Sequence, residues 1–149
     1  MISLRPALEA DDKRIVEIIR TAQINPMDLK WRNFVVAVDE ATGQLVGTGQ
    51  IKTHRDKSRE LASVAVVPEY QHRGIAHQIL QRLLALPGNS GPLFLTCLRS
   101  MSTLYAEFGF RVIGEKEMTP YFRRLIKVAA AFNLLAHSDN KLLVMKRDG

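Results

Sequence analysis

The sequence predicts an α+β domain, helices flanking a mixed sheet in α/β/α layers, and two observations carry that expectation. Strand-like alternation and helical spacing of apolar residues are interleaved along all 149 residues, without a repeat, linker or low-complexity tract. The run from Glu60 to Val67 is apolar on both faces, with Leu61, Ala65 and Val67 on one and Ala62, Val64 and Val66 on the other. Such a strand belongs in the middle of a sheet. A chain of this length buries a sizeable core as one domain, residues 1–149.

Ile2, Leu4 and Ala7 alternate with polar residues and open the chain as a strand. Asp11 or Asp12 can cap the helix that follows, whose apolar positions Ile15, Ile18, Ile19 and Ala22 share one face. Asn25-Pro26 ends it, and 27–32 is too short for more than one or two helical turns. Residues 34–38 form a β-branched strand, and 44–52 return after a turn as the second arm of a hairpin. A polar turn at 54–58 leads to the central strand, which stops at Pro68. A helix is predicted over 74–86, a turn at 87–92 and a strand over 93–98. A short helix follows over 101–108, with Gly109 as its left-handed closing residue, and 110–117 return as a strand. Thr119-Pro120 is a helix start with Thr as cap, and Phe122, Leu125, Ile126, Ala129 and Phe132 form that helix's buried stripe. Residues 142–145 close the chain as a strand.

Composition narrows the function classes. The hydrophobic share of 46% and charged share of 24% suit a soluble globular protein, and no apolar run is long enough to cross a bilayer. The start Met1-Ile2-Ser3-Leu4-Arg5-Pro6 has no signal-peptide pattern, and the single Cys97 allows neither an internal disulfide nor a cysteine-built metal site. The expected setting is cytoplasmic, with no membrane and no metal. The net charge of +6 favours polyanionic partners such as phosphorylated cofactors. The basic residues are scattered, which argues against nucleic acid as the main partner. Oligomeric state, a homodimer included, is left open.

Chemistry concentrates after the central strand, where Pro68-Glu69-Tyr70-Gln71-His72-Arg73-Gly74-Ile75-Ala76 is a tight turn opening a helix. A helix N-terminus offers unpaired N–H groups and a positive dipole end, a geometry that binds phosphate. Gly74 lets the backbone approach a pyrophosphate closely, Ala76 is the next smallest residue, and Arg73 adds charge. The segment is neither a P-loop nor a dinucleotide fingerprint.

Gln71, Gly74 and Ala76 match Gln/Arg-x-x-Gly-x-Gly/Ala, and here the chain resembles the GNAT superfamily of N-acetyltransferases. Pro68 and Tyr70 stand where the family has them, and Tyr105 to Phe110 resembles the family's later Tyr-x-x-x-Gly-Phe helix end. Leu4-Arg5-Pro6-Ala7 with its acidic helix start resembles the family's opening. The resemblance implies a mostly antiparallel sheet of about seven strands, splayed between the fourth and fifth. It also implies acetyl-CoA as cosubstrate, with pantetheine amides paired to the backbone of Val64 and Val66 as an added strand. The phosphates would lie on Gln71, His72, Arg73, Gly74, Ile75 and Ala76. An N–H near Val66 would polarise the thioester carbonyl, and transfer to a bound amine would be direct.

Two proton transfers then need carriers. Tyr105 matches the family's tyrosine and is the candidate acid for the departing CoA thiolate, its alternative role being core packing. Glu60 lies eleven residues before Gln71, as does the base of the histone acetyltransferase branch. By strand alternation it shares a side with Val64 and Val66. Its alternatives are an exposed strand-end charge or a water chain as base. His72 either contacts CoA or is solvated. His54 and His77 lack metal-ligand spacing, and Cys97 reads as a core residue.

Ser100 and Ser102 lie where the family passes CoA, although the Asn often found before this helix is missing. The resemblance places the amine acceptor by 25–31 and 119–140, where Trp31 can line a pocket. Arg123, Arg124 and Lys127 there can hold an acidic group or form a solvated face. Three functions stay in play: an N-acetyltransferase with an unidentified amine acceptor, an inactive CoA-binding sensor, and a nucleic-acid-binding protein.

Overall fold

β1 (Ile2–Pro6) pairs antiparallel with β2 (Phe34–Asp39), and β2 pairs antiparallel with β3 (Gln44–Thr53). The structure is a computed structural model that describes residues 1–136 and 141–149, the side chains of 132–136 excepted. β4 (Arg59–Val66), β5 (Leu93–Leu98), β6 (Arg111–Val112) and β7 (Leu142–Arg147) complete a seven-stranded sheet in the order β1-β2-β3-β4-β5-β7-β6. The helices are α1 (Asp12–Thr21), α2 (Ile75–Leu84), the short α3 (Ser102–Ala106) and α4 (Pro120–Ala136). The fold class is the expected one, and β4 and β5 run parallel with Glu60 opposite Phe94. No helix among the described residues is long and apolar enough to cross a membrane.

The chain forms two units, 1–52 with 61–89, and 53–60 with 90–149. In the first, Asp11 rather than Asp12 fixes the entry to α1. Its carboxylate accepts the Leu8 amide at 2.7 Å and a two-pronged bond from Arg5 at 2.7 and 3.1 Å. Ile15, Ile18 and Ile19 are buried against Ala7, Phe34, Val36, Leu45 and Ala65. Each fully buried isoleucine contributes about 1.5–3 kcal/mol. Ala22, expected on that stripe, falls just beyond the helix and is exposed. Segment 27–32 yields only a 3₁₀ turn, Trp31–Asn33.

On the other face of β3, two glycines admit α2. A Cβ at Gly49 would lie 2.6 Å from Ile79 Cγ2, and one at Gly47 3.0 Å from Ile79 Cδ1. Bare backbone at both positions lets Ile75, Ile79 and Leu83 reach the sheet, where all three are buried.

In the second unit, β7 lies antiparallel between β5 and β6. Phe94, Ile113, Met118, Phe122 and Val144 form its core, with Tyr121, Leu125 and Ile126 packed against them. Most of the expected α4 stripe is thus present; Ala129 is half-buried, and the Phe132 side chain lies outside the described residues. The strand expected over 110–117 shrinks to Arg111–Val112, because a 3₁₀ turn at Glu115–Glu117 takes the chain toward α4. Gly109 closes α3 at φ 90°, as expected.

The cap of α4 differs from expectation. Thr119 Oγ1 accepts from no backbone amide among the described residues, whereas the Tyr121 amide donates to Asp56 Oδ2 at 3.0 Å. A carboxylate from a distant turn outcompetes the local hydroxyl because its charge also meets the helix dipole.

Candidate active site

The first unit carries the phosphate-type loop. Tyr70 and a 3₁₀ turn (Pro68–Tyr70) follow β4, and the Tyr70 hydroxyl donates to Asp39 Oδ2 at 2.5 Å. That bond ties the loop to the β2–β3 hairpin, holds the Asp39 carboxyl below its ordinary range and raises the Tyr70 phenol. Gln71 Nε2 donates to the Val66 carbonyl at 3.0 Å, folding the loop onto the strand end. His72 at φ 64° and Gly74 at φ 81° then turn the backbone through left-handed conformations into α2. Among the described residues, no backbone carbonyl accepts from the amides of His72, Arg73, Gly74, Ile75 or Ala76. Five consecutive donors without a backbone acceptor suit a phosphate group. Arg73 lies against the loop itself, donating to the Glu69 carbonyl at 2.9 Å with its guanidinium 4.8 Å from the Tyr70 ring centre. His72 is exposed.

Beside the loop, Ile18, Ala22, Val66, Pro68 and Gln71 help line a cleft of about 380 Å³. Two of the expected cofactor residues, Val66 and Gln71, therefore meet in one concavity. Val64 is half-buried, near where a Cβ on Gly49 would stand. Between them and Glu60 lies Ser63 at φ 59°, a left-handed residue inside a strand. Strand alternation does not run through such a residue, so the parity linking Glu60 to Val64 and Val66 fails. The irregular backbone is held from β3: Thr48 Oγ1 donates to the Ser63 carbonyl and Gln50 Nε2 to Ser63 Oγ, both at 2.8 Å.

The second unit carries the expected proton carriers. Glu60 Oε1 lies 2.7 Å from His54 Nε2, and the two side chains are only 6% and 7% exposed. The His54 ring stacks on Tyr121 at 3.5 Å and meets Phe122 edge-on at 5.9 Å. Glu60 is thus no exposed strand-end charge but half of a carboxylate–imidazole pair walled by aromatics. Sequence reading missed this partner, because five residues lie between His54 and Glu60 and no periodicity joins them. The backbone bonds His54 N–H to Ser58 O and Lys57 N–H to His54 O, with Lys57 at φ 70°, close that turn.

Tyr105 is 9% exposed on α3, and burial, reinforced by Cys97, pushes its phenol up to about 12. Burial raises the Cys97 thiol as well, and its Sγ lies 3.7 Å from Met145 Sδ. A thiol held protonated in this way is a core group, not a nucleophile. Ser102 donates to the Arg99 carbonyl at 2.8 Å, and Arg123 to the Glu115 carbonyl at 3.2 Å, both local ties. Arg124 and Lys127 are exposed, and Trp31 packs on the α1 core with Arg32 over its ring. Of the expected acceptor segment 119–140, residues His137 to Asn140 lie outside the described residues.

A family model described as an acetyltransferase (GNAT) domain matches residues 30–112, more than half of the chain. The chain is a GNAT acetyltransferase by family. The match spans β2 through β6 and includes the phosphate-type loop and Tyr105. No curated protein sequence matches it. Solved structures share the GNAT fold at low identity. Rv2747 from Mycobacterium tuberculosis, in complex with CoA, is 24% identical over 99% of both chains with a TM-score of 0.72. A GNAT superfamily phosphinothricin acetyltransferase from Sinorhizobium meliloti, in complex with AcCoA, is 19% identical at a TM-score of 0.68, covering 99% of this chain and 88% of that one. N-acetylglutamate synthase from Neisseria gonorrhoeae, complexed with CoA and N-acetyl-glutamate, is 19% identical at a TM-score of 0.72. The chain aligns over 99% of its own length but spans only 35% of that synthase.

Proposed function

We propose that this GNAT acetyltransferase moves an acetyl group from acetyl-CoA to a primary amine by direct transfer in a ternary complex. The observation that carries the reading is the loop of five amides without a backbone acceptor, at the start of α2 and beside the cleft lined by Val66 and Gln71. Those amides would hold the CoA pyrophosphate, and Arg73 would swing from its own loop toward it. The Val64 and Val66 backbone would pair with the pantetheine amides. CoA and AcCoA in the similar structures support the same assignment. The chain is taken as a single domain, 1–149, working in the cytoplasm.

In the step itself the amine nitrogen attacks the thioester carbonyl, and the oxyanion takes a backbone N–H near Val66. The C–S bond then breaks, the acetyl group stays on nitrogen, the thiolate takes the Tyr105 proton, and the resulting phenolate takes the second proton from the new amide nitrogen. Burial pushes that phenol up to about 12, which keeps it protonated at neutral pH but makes it a weaker acid than the thiol it forms. The proton therefore moves uphill, and the role rests on position rather than on acidity. Glu60, oriented by His54, takes the proton that the ammonium must shed before attack.

The test is thermal unfolding with and without acetyl-CoA, followed by CoA release across an amine panel. Protection plus transfer is the expected result. No protection at millimolar acetyl-CoA sinks the reading, and protection without transfer to any amine reduces the chain to a CoA-binding module.

A further inference from the structure

One face of β3 is polar where a core face should be apolar. Thr48, Gln50 and Lys52 alternate on that face, at 0%, 0% and 5% exposure. Their cross-strand neighbours on β2 are core residues: Val36 is opposite Thr48 and Phe34 is opposite Gln50. Thr48 is satisfied by the Ser63 carbonyl. Gln50 donates to Ser63 Oγ and, at 3.3 Å, to the Asp28 carbonyl, but its Oε1 is buried with no hydrogen-bond partner among the described residues. Lys52 is less satisfied still. Its ammonium makes one long contact, 3.5 Å to the Met27 carbonyl, and no carboxylate lies within ion-pair distance among the described residues.

Burying an ammonium without an anion is among the most costly arrangements a core can hold, and methionine would fill the same volume more favourably. Chains keep such a group where an anion arrives to complete it. The location says which molecule brings the anion. Gln50 grips Ser63, the residue immediately before Val64, whose backbone the transfer reading assigns to acetyl-CoA. Lys52 is the next residue on the same face of the same strand. Both touch the carbonyls of Met27 and Asp28, in the exposed segment that follows α1.

We propose that Lys52 receives a carboxylate carried by the acceptor, so that the amine substrate is an amino acid rather than a simple amine or a protein lysine. The carboxylate displaces the Met27 carbonyl from Nζ, and Gln50 beside it holds Ser63 in place. The proposal rests on the acetyl-transfer reading for the chemistry but not for the binding, and two readouts keep them apart.

The first readout is binding. With CoA present, thermal protection is measured for the common amino acids, each beside its α-carboxamide. At least one amino acid protects the wild-type chain about 100-fold more tightly than its α-carboxamide. The second is kinetic. Lys52→Met raises the KM for that amino acid about 100-fold, leaving the KM for acetyl-CoA and its thermal protection unchanged, and Lys52→Arg restores part of the loss. Equal protection by acids and amides, no protection by any acid, or an unchanged acceptor KM in Lys52→Met each overturns the proposal. Should Lys52→Met not fold, the acid-versus-amide comparison on the wild-type chain decides alone. Acid binding without transfer upholds Lys52 and sinks the enzymatic reading instead.

Discussion

The loop from Tyr70 to Ala76 and the turn from His54 to Glu60 are both polar, yet they are built in opposite ways. In the loop the working groups are main-chain amides left open, with His72 and Gly74 in left-handed conformations to keep them so. In the turn the working groups are side chains closed on one another, Glu60 on His54 and His54 on Tyr121. A backbone site tolerates most side-chain changes, because it depends on where the chain runs. A side-chain site loses most of its effect with one substitution, because only solvent is left to move the proton. The difference predicts that damage to the second unit lowers turnover, while damage to the loop weakens cofactor binding.

The largest effect is expected at Tyr105. Tyr105→Phe removes the proton for the departing thiolate and should lower kcat about 1,000-fold, with the KM for acetyl-CoA nearly unchanged. Its Tm should stay within a few degrees, since ring packing against Phe110 is kept. A kcat within threefold of wild type would make Tyr105 a packing residue only. Glu60→Gln should follow, with kcat about 100-fold lower, because solvent can carry part of the base's work. Acetyl-CoA protection should survive in that variant. If protection is lost together with turnover, Glu60 acts by shaping the fold and not by moving a proton.

Gly74→Val tests the other side of the comparison. A Cβ at Gly74 meets nothing within 4 Å, so the strain comes from holding a β-branched residue at φ 81°. The loop should relax away from its open form, and the KM for acetyl-CoA should rise about tenfold while kcat at saturation changes little. A fall in kcat with an unchanged KM would mean the loop serves the chemical step and the contrast between the regions is false.

What was legible in the sequence follows the same division. Gln71, Gly74 and Ala76 could be found because a backbone site leaves its mark in residue types at fixed spacing. The sheet and the helices were legible because Ile15, Ile18, Ile19 and Phe122 report their burial through periodicity. The Glu60–His54 pair was not legible, since its two members meet through the shape of a turn whose left-handed residue is Lys57, not glycine. Nor was the break in β4, where Ser63 adopts φ 59° because Thr48 and Gln50 reach across from β3 to hold it. Tertiary bonds that override local preference leave no local signal, and here they surround the candidate chemistry.

The smallest expected effect concerns how the turn is kept closed. Asp56 receives the Tyr121 amide at the start of α4, the Ser58 amide at 2.9 Å and the Ser58 hydroxyl at 2.5 Å. Burial works to raise its carboxyl, but the Ser58 hydroxyl and the Tyr121 and Ser58 amides outweigh it and hold the group at about 2. A carboxyl lower in the folded than in the unfolded chain stabilises at every pH above the unfolded value of about 3.9. That contribution is lost as the pH falls from about 4 through about 2. Asp56→Asn should therefore lower the Tm by a few degrees at pH 7, the loss of one exposed and partly screened cap worth about 0.5–1 kcal/mol. The gap between the two proteins should close as both are brought to pH 2. Since Tyr121 carries the stacking surface for His54, the variant should also lose some turnover without losing acetyl-CoA protection. A Tm gap that persists unchanged at pH 2 would show that Asp56 acts through packing and not through its charge.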